Sequence, residues 1–384
     1  MTTESARRRL IEPETGKRAW VDFAKGAAIV MVVYYHTALY LQAAGIQGTP
    51  WLVKAPLELF PMPAFFLIAG LFGNRLGTWA FADLWRRRLL PLLYLYVLWS
   101  VLRFAFYLVV PGVNGELGEF PATNPIGLLL IAVWPSSSYW FIYALFLFTL
   151  GVWLLRRVPP AVQVAAAAVL SAFVTSGILD ANNVGWNRVG GLFVFFLVGA
   201  LYSKRLFELV NRVRPWMLAT AFAVFVAVVA GLILFGLRAV PGGVLLGQVA
   251  AVAFGIMAST YLVRLRPLRF VSTLGATSLQ IYLFHLYVIV VIAAIVAALG
   301  LEVPRWVGIC LQLVVMTIAI IVSFLLTRLT SRARWLYVPP TWMTRRRGVG
   351  VAGTATYRAG RTPRAGRSGG PAPVPGAQPT GETP

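Results

Sequence analysis

Ten times in succession the chain runs apolar for roughly 20 residues and then breaks into a few charged or turn-forming ones. A run of that length, wound as an α-helix, crosses the ~30 Å hydrocarbon core of a bilayer. Inside that core only helices and closed barrels pair every backbone N–H and C=O. The repetition therefore predicts an all-α fold, a polytopic helical membrane bundle of about ten transmembrane helices. Composition agrees: 59% of the 384 residues are hydrophobic and 12% are charged, against about 25% charged in soluble domains.

The expected spans are about Trp20–Gln42, Leu57–Gly73, Leu89–Val110, Tyr139–Leu155, Ala161–Leu179, Val189–Tyr202, Trp216–Leu237, Val244–Val263, Ser272–Leu299 and Trp306–Leu329. Pro61 and Pro63 predict a kinked or partly re-entrant second span. The apolar stretch Ile126–Val133 follows a Gly/Pro-rich acidic loop, is too short to cross, and is expected at the interface. Residues 1–18 read as a cytoplasmic arm, 19–334 as the transmembrane domain, and 335–384, rich in Arg, Pro and Gly, as a largely disordered cytoplasmic tail.

The formal charge of +22 raises the question of nucleic acid, and the distribution answers it. Of the 34 Lys and Arg residues, all but Lys54, Arg103, Arg188, Arg238 and Arg305 fall on one side of a ten-span topology. This is the positive-inside pattern, and it places both termini in the cytoplasm. No basic groove interleaved with aromatics exists, so nucleic acid is not an expected partner; the bilayer is. The N-terminal region lacks a small-residue cleavage signature, so the first run is expected to be an uncleaved span. Cys310 is the only cysteine, which rules out an internal disulfide.

The first span carries the chemistry. It opens with Asp22 and Lys25 and holds His36, one of two histidines in the chain, in its apolar run. Ionisable groups at membrane depth cost roughly 2.5–3.5 kcal/mol for Asp, Lys or Arg, and mark functional sites by default. On an ideal helix Lys25 and His36 lie within about 20° of one face and about 16 Å apart, with Asp22 about 40° away. His285 lies roughly 20 Å into the ninth span, so the two histidines can share a depth and a chamber. Arg103 sits near mid-span with a charge it cannot lose. The plainer readings stand beside these: Asp22 and Lys25 as interface markers, the histidines as helix-to-helix hydrogen bonds, and Arg86, Arg87 and Arg88 as topology anchors. A metal site is not expected, because two histidines without a carboxylate at ligand spacing fall short of a zinc set. A histidine in a wet intramembrane cavity suits a general base or a proton relay.

Five segments, in order, resemble the acyltransferase 3 family of integral membrane O-acyltransferases, in particular its fucose 4-O-acetylase-like branch. They are WVDFAKGAAIVMVVYYH, FPMPAFFLIAGLFGNR, WRRRLLPLLYLYVLWS, SSYWFIYALF and SLQIYLFHLYVI. The resemblance covers about Arg18 to Arg334. It implies transfer of an acyl group, usually acetyl, from cytoplasmic acyl-CoA to a hydroxyl of a carbohydrate or glycolipid. It implies His36 as the catalytic histidine and Arg86, Arg87 and Arg88 as contacts for the donor phosphates, and gives His285 a recurrent place without a firm role. Ala69 stands where the family often has Ser, and the Arg triplet departs from the Arg-x-x-Arg spacing of some branches.

The expected protein is thus an O-acetylating transferase of the cell envelope, multi-pass in the plasma (inner) membrane of a bacterium, with acetyl-CoA as donor and no metal. Arg103 and Tyr139 are candidates to steady the oxyanion. The alternative is a proton-coupled transporter of glycan, lipid or organic acid, although the chain lacks an inverted repeat and paired broken helices. A scaffold whose basic tail binds anionic lipid is a third reading.

Overall fold

The computed structural model describes residues 18–49, 56–110, 123–135 and 138–344; most of the expected N-terminal arm, most of the acidic loop and the tail beyond Thr344 lie outside the described residues. Each of the ten apolar runs folds as a helix. In chain order these are α1 (Ala19–Ala43), α2 (Pro61–Leu71), α3 (Leu90–Val109), α4 (Trp140–Leu154), α5 (Pro160–Thr175), α6 (Val184–Asn211), α7 (Pro215–Leu234), α8 (Gly243–Leu262), α9 (Ser278–Leu299) and α10 (Arg305–Leu329). Eight are long and apolar enough to cross a bilayer; α5 and α2, even with its leading turn, are shorter. The described residues contain no strand, and the chain is a multi-pass membrane protein.

The end of the bundle where α1 starts is its foot, and the other end its head. Side-chain contacts assign three of the helices to these ends. Arg305, at the start of α10, donates to Gly48 O just beyond α1 (3.1 Å), so α10 starts at the head. Tyr107, late in α3, meets Tyr40 hydroxyl to hydroxyl at 3.0 Å, so α3 rises from foot to head. Trp20 packs on Phe207 with ring centroids 6.0 Å apart, which puts the end of α6 at the foot and its start at the head.

Helix contacts are closest at glycines. A Cβ on Gly70 of α2 would meet the α6 backbone at Phe196 O, and one on Gly199 would meet Leu67 O. The short helix Arg269–Ala276 lies along the foot of α1 in the same way, Gly26 against Val271 O and Gly275 against Asp22 O. Small residues let helices approach backbone to backbone where lipid supplies no hydrophobic drive for association.

Several expected boundaries move. The second span bends at Phe60 and restarts at Pro61, where both prolines occupy the first helical turn, whose N–H groups lack intrahelical partners anyway. Helix α3 extends back through a π-helical turn, Trp85–Leu89, so the continuous apolar helix is Phe81–Val109. Helix α6 starts five residues earlier than Val189, because the Asn183 side chain caps it by accepting from Trp186 N (2.9 Å). It also runs past Tyr202, where it kinks (φ −117°, ψ 21°). The ninth span is broken at Thr277 (φ −104°, ψ 15°), and only the part from Ser278 is the long helix. Packing continues past Arg334, where the transmembrane domain was expected to end: Tyr94 donates to Trp335 O (2.8 Å) and Trp99 to Leu336 O (2.9 Å). The Ile126–Val133 stretch forms only the five-residue helix Pro125–Leu129. The carbonyls that follow are pinned by Tyr96 on Ile131, Tyr143 on Ala132 and Trp186 on Val133, at 2.6–2.8 Å.

Candidate active site

His36 lies seventeen residues, about 26 Å, along α1 from Ala19, and therefore in the head half of the bundle. His285 is only seven residues into α9. The two meet because Arg269–Ala276 occupies the foot beside α1 and α9 begins above it. His285 Nε2 is 3.2 Å from His36 Nδ1, and the ring centroids are 5.1 Å apart. His36 Nδ1 is also 3.0 Å from Val32 O. His285 Nδ1 lies 2.8 Å from Tyr282 O and 3.1 Å from Ile281 O. His285 is fully buried, whereas His36 is half-buried and lines a cavity.

That cavity, about 400 Å³, reaches toward the head between α1, α2, α4, α5, α6, α8 and α9. Its walls mix apolar surface with Tyr35, Glu58, Asn187, Arg188, Arg238 and Gln248. Glu58 is paired with Arg238 at 3.0 Å. Arg188 lies over the Trp140 ring, 4.9 Å from its centroid. Asn187 donates to Asp180 (2.6 Å), which ties it to the loop before α6. Gln248 is buried, and its Oε1 has no hydrogen-bond partner among the described residues, so the cavity wall holds an acceptor for an incoming donor.

Sequence reasoning counted Arg188 and Arg238 only as charges outside the spans. The signal that moves Arg188 inside was present: Asn183 before an apolar helical pattern is an N-cap, which starts α6 ahead of Arg188 and turns that arginine into the bundle.

The family model described as an acyltransferase domain matches residues 18–328. The chain belongs to the acyltransferase 3 family. The matched region takes in α1 to α9 and nearly all of α10, and hence both histidines and every cavity-lining residue. The match is to the family as a whole and does not single out the fucose 4-O-acetylase-like branch. Searches of curated proteins and of solved structures each return no match.

Within this family member the other expected site residues fall in three places. Asp22 and Lys25 form an ion pair at 2.6 Å at the foot of α1, away from the cavity. Arg103 and Tyr139 do come together, on a second cavity of only about 10 Å³ that they share with Tyr107 and Tyr287, space for about one water. There Arg103 lies over the Tyr107 ring (5.1 Å), and the Tyr139 hydroxyl bonds with Leu283 O and the Tyr287 hydroxyl, each at 3.1 Å. Neither residue lines the cavity of His36. Arg86, Arg87 and Arg88 sit at the foot, in the π-helical turn that precedes α3. Arg87 pairs with Asp83 (3.6 Å) and Arg88 donates to Phe72 O (3.3 Å). Ala69, where the family often has Ser, packs against the apolar core. Among the described residues no three His, Cys, Asp or Glu side chains gather as a metal site.

Proposed function

We propose that the protein is a membrane-bound O-acyltransferase that moves an acyl group, acetyl in the simplest case, from acyl-CoA to a hydroxyl of a carbohydrate or glycolipid of the cell envelope, with His36 as general base. The observation that carries this reading is the choice of groups around the cavity. Its one carboxylate, Glu58, is engaged by Arg238, and His36 is the lining side chain whose ordinary pKa lies near neutrality. A neutral imidazole removes the hydroxyl proton as the oxygen attacks the thioester carbonyl. The C–S bond then breaks and the thiolate leaves, taking up the proton from the imidazolium. Arg188, a permanent cation on the same cavity, suits the developing oxyanion better than Arg103, which lies on the other cavity.

The donor is assigned to the foot, where the basic residues gather, and the acceptor to the head, where the cavity lies. Arg86, Arg87 and Arg88 present guanidinium groups to the donor phosphates, and the slender pantetheine arm reaches up toward His36. By the positive-inside bias the foot is the cytoplasmic side of a bacterial plasma membrane.

Purified protein in detergent with radiolabelled acetyl-CoA and envelope extract is the test. Wild type transfers label to a lipid or glycan, and His36→Ala, purified as a folded protein, does not. Transfer retained by His36→Ala would remove the assignment of the base. Proton-coupled uptake into vesicles without acyl-CoA would favour a transporter instead.

A further inference from the structure

The contacts of the two histidines assign a proton to each ring, taken as neutral. His285 Nδ1 faces two backbone carbonyls, Tyr282 O and Ile281 O. A carbonyl only accepts, so this nitrogen carries the hydrogen, and in the neutral ring Nε2 carries the lone pair. That lone pair is directed at His36 Nδ1 from 3.2 Å. The other neighbour of His36 Nδ1 is Val32 O at 3.0 Å, again an acceptor. Two acceptors facing one nitrogen require a hydrogen on it. With both rings neutral, this arrangement assigns the hydrogen of His36 to Nδ1 and leaves Nε2 as the basic nitrogen of a side chain that lines the cavity.

We propose that His285 is a positioning residue: it holds His36 in the tautomer whose basic Nε2 serves the cavity. It thus takes the part that a carboxylate plays behind the histidine of an acid–base triad. A neutral acceptor fits this place. His285 is fully buried at membrane depth, where an ionised carboxylate would carry a large desolvation penalty. The backbone carbonyls of α9 do for His285 what His285 does for His36, so the order of protons is anchored in the helix itself. When His36 takes a proton on Nε2, its Nδ1–H bond to His285 becomes charge-assisted and stronger. The inference rests on His36 acting as the base, as proposed above.

The chain contains only two histidines, so full-length protein labelled with ¹⁵N-histidine gives two assignable imidazoles, and His36→Ala identifies which is which. The expected ¹⁵N spectrum near neutral pH shows His36 protonated on Nδ1 and bare on Nε2. His285→Gln, whose amide oxygen can still accept, keeps that tautomer and most of the activity. His285→Leu leaves Val32 O as the remaining one of the two acceptors facing His36 Nδ1; the weaker hold is expected to admit a measurable share of the Nε2–H tautomer and to cost kcat about 10-fold or more, with KM for the acyl donor unchanged within about 2-fold. Wild-type His36 bare on Nδ1, or His285→Leu with tautomer and kcat intact, would overturn the proposal. The wild-type spectrum needs no variant to fold beyond assignment. It is also independent of transfer: label transfer by His36→Ala would remove the base while leaving the tautomer measurement to stand or fall alone.

Discussion

Helices α1 and α7 have similar lengths and opposite fates. Fourteen of the 25 residues of α1 are buried, including Asp22 and Thr37. Of the 20 residues of α7, only Leu232 is. Yet α1 is the least apolar of the eight long helices and α7 nearly the most. In water the apolar helix would go inside; in a bilayer the solvent is itself apolar, so an unbroken apolar helix gains nothing by leaving it. Polar groups are what drive a helix to the centre, because lipid cannot pair them. The helix that bears charge and histidine is therefore the one around which α2, α8, α9, α10 and Arg269–Ala276 all pack.

Paired substitutions in the two helices test that contrast. The largest difference is in chemistry: His36→Ala in α1 is expected to cut kcat by about 10²-fold or more, while Val226→Leu on the exposed face of α7 leaves it within about 2-fold. Next comes charge. Asp22→Ala removes the partner of Lys25 and is expected to cost about 2–3 kcal/mol; a fully buried pair costs about 3–5, and Lys25 is 26% exposed. Thermal unfolding in detergent reads this out, and an unchanged midpoint would mean that the pair only decorates the interface. Then glycine. A Cβ at Gly26 would strike the Val271 carbonyl, which is backbone and cannot turn aside, whereas at Gly231 in α7 it would come 3.2 Å from the tip of Leu237. Gly26→Ala is expected to destabilise by about 1–3 kcal/mol. Gly231→Ala is expected to be neutral or to stabilise by up to about 1 kcal/mol through helix propensity. Equal effects at the two glycines would remove the case for α1 as the packed centre.

The fold was legible because hydrophobic length is a local signal: each apolar run became a helix near its expected position. What could not be read was which helices touch. That His36 and His285 could share a depth followed from counting residues, but on a wrong premise, since the ninth span is broken at Thr277 and His285 lies seven residues into α9 rather than thirteen into a longer helix. Their 3.2 Å contact depends on Arg269–Ala276 filling the foot, which is a packing outcome. Arg103 and Tyr139 were expected as candidates to steady the oxyanion; they do lie together, but on a different cavity from His36, which no periodicity could say. Arg188 was misplaced by reading the start of α6 from hydropathy, which begins at Val189, instead of from its Asn183 cap.

The smallest effect is expected where the loop before α6 holds the cavity wall. Asp180 accepts from Asn187 Nδ2 (2.6 Å) and from Asn182 N (2.8 Å). These bonds, the one from Asn187 first, stabilise the carboxylate and hold its pKa below the ordinary value. A folded-state value below the unfolded one means that the contribution to stability is present above the unfolded pKa, about 3.9, and is lost as pH falls through the folded one. Asp180→Ala should therefore lower the unfolding midpoint slightly at pH 7, with the gap to wild type closing below about pH 4. Because Asp180 is exposed and Asn187 lines the cavity, the same change should raise KM for the acceptor by no more than about 3-fold and leave kcat alone. A fall in kcat without a change in KM would place this loop in the chemistry rather than in the wall that shapes access to His36.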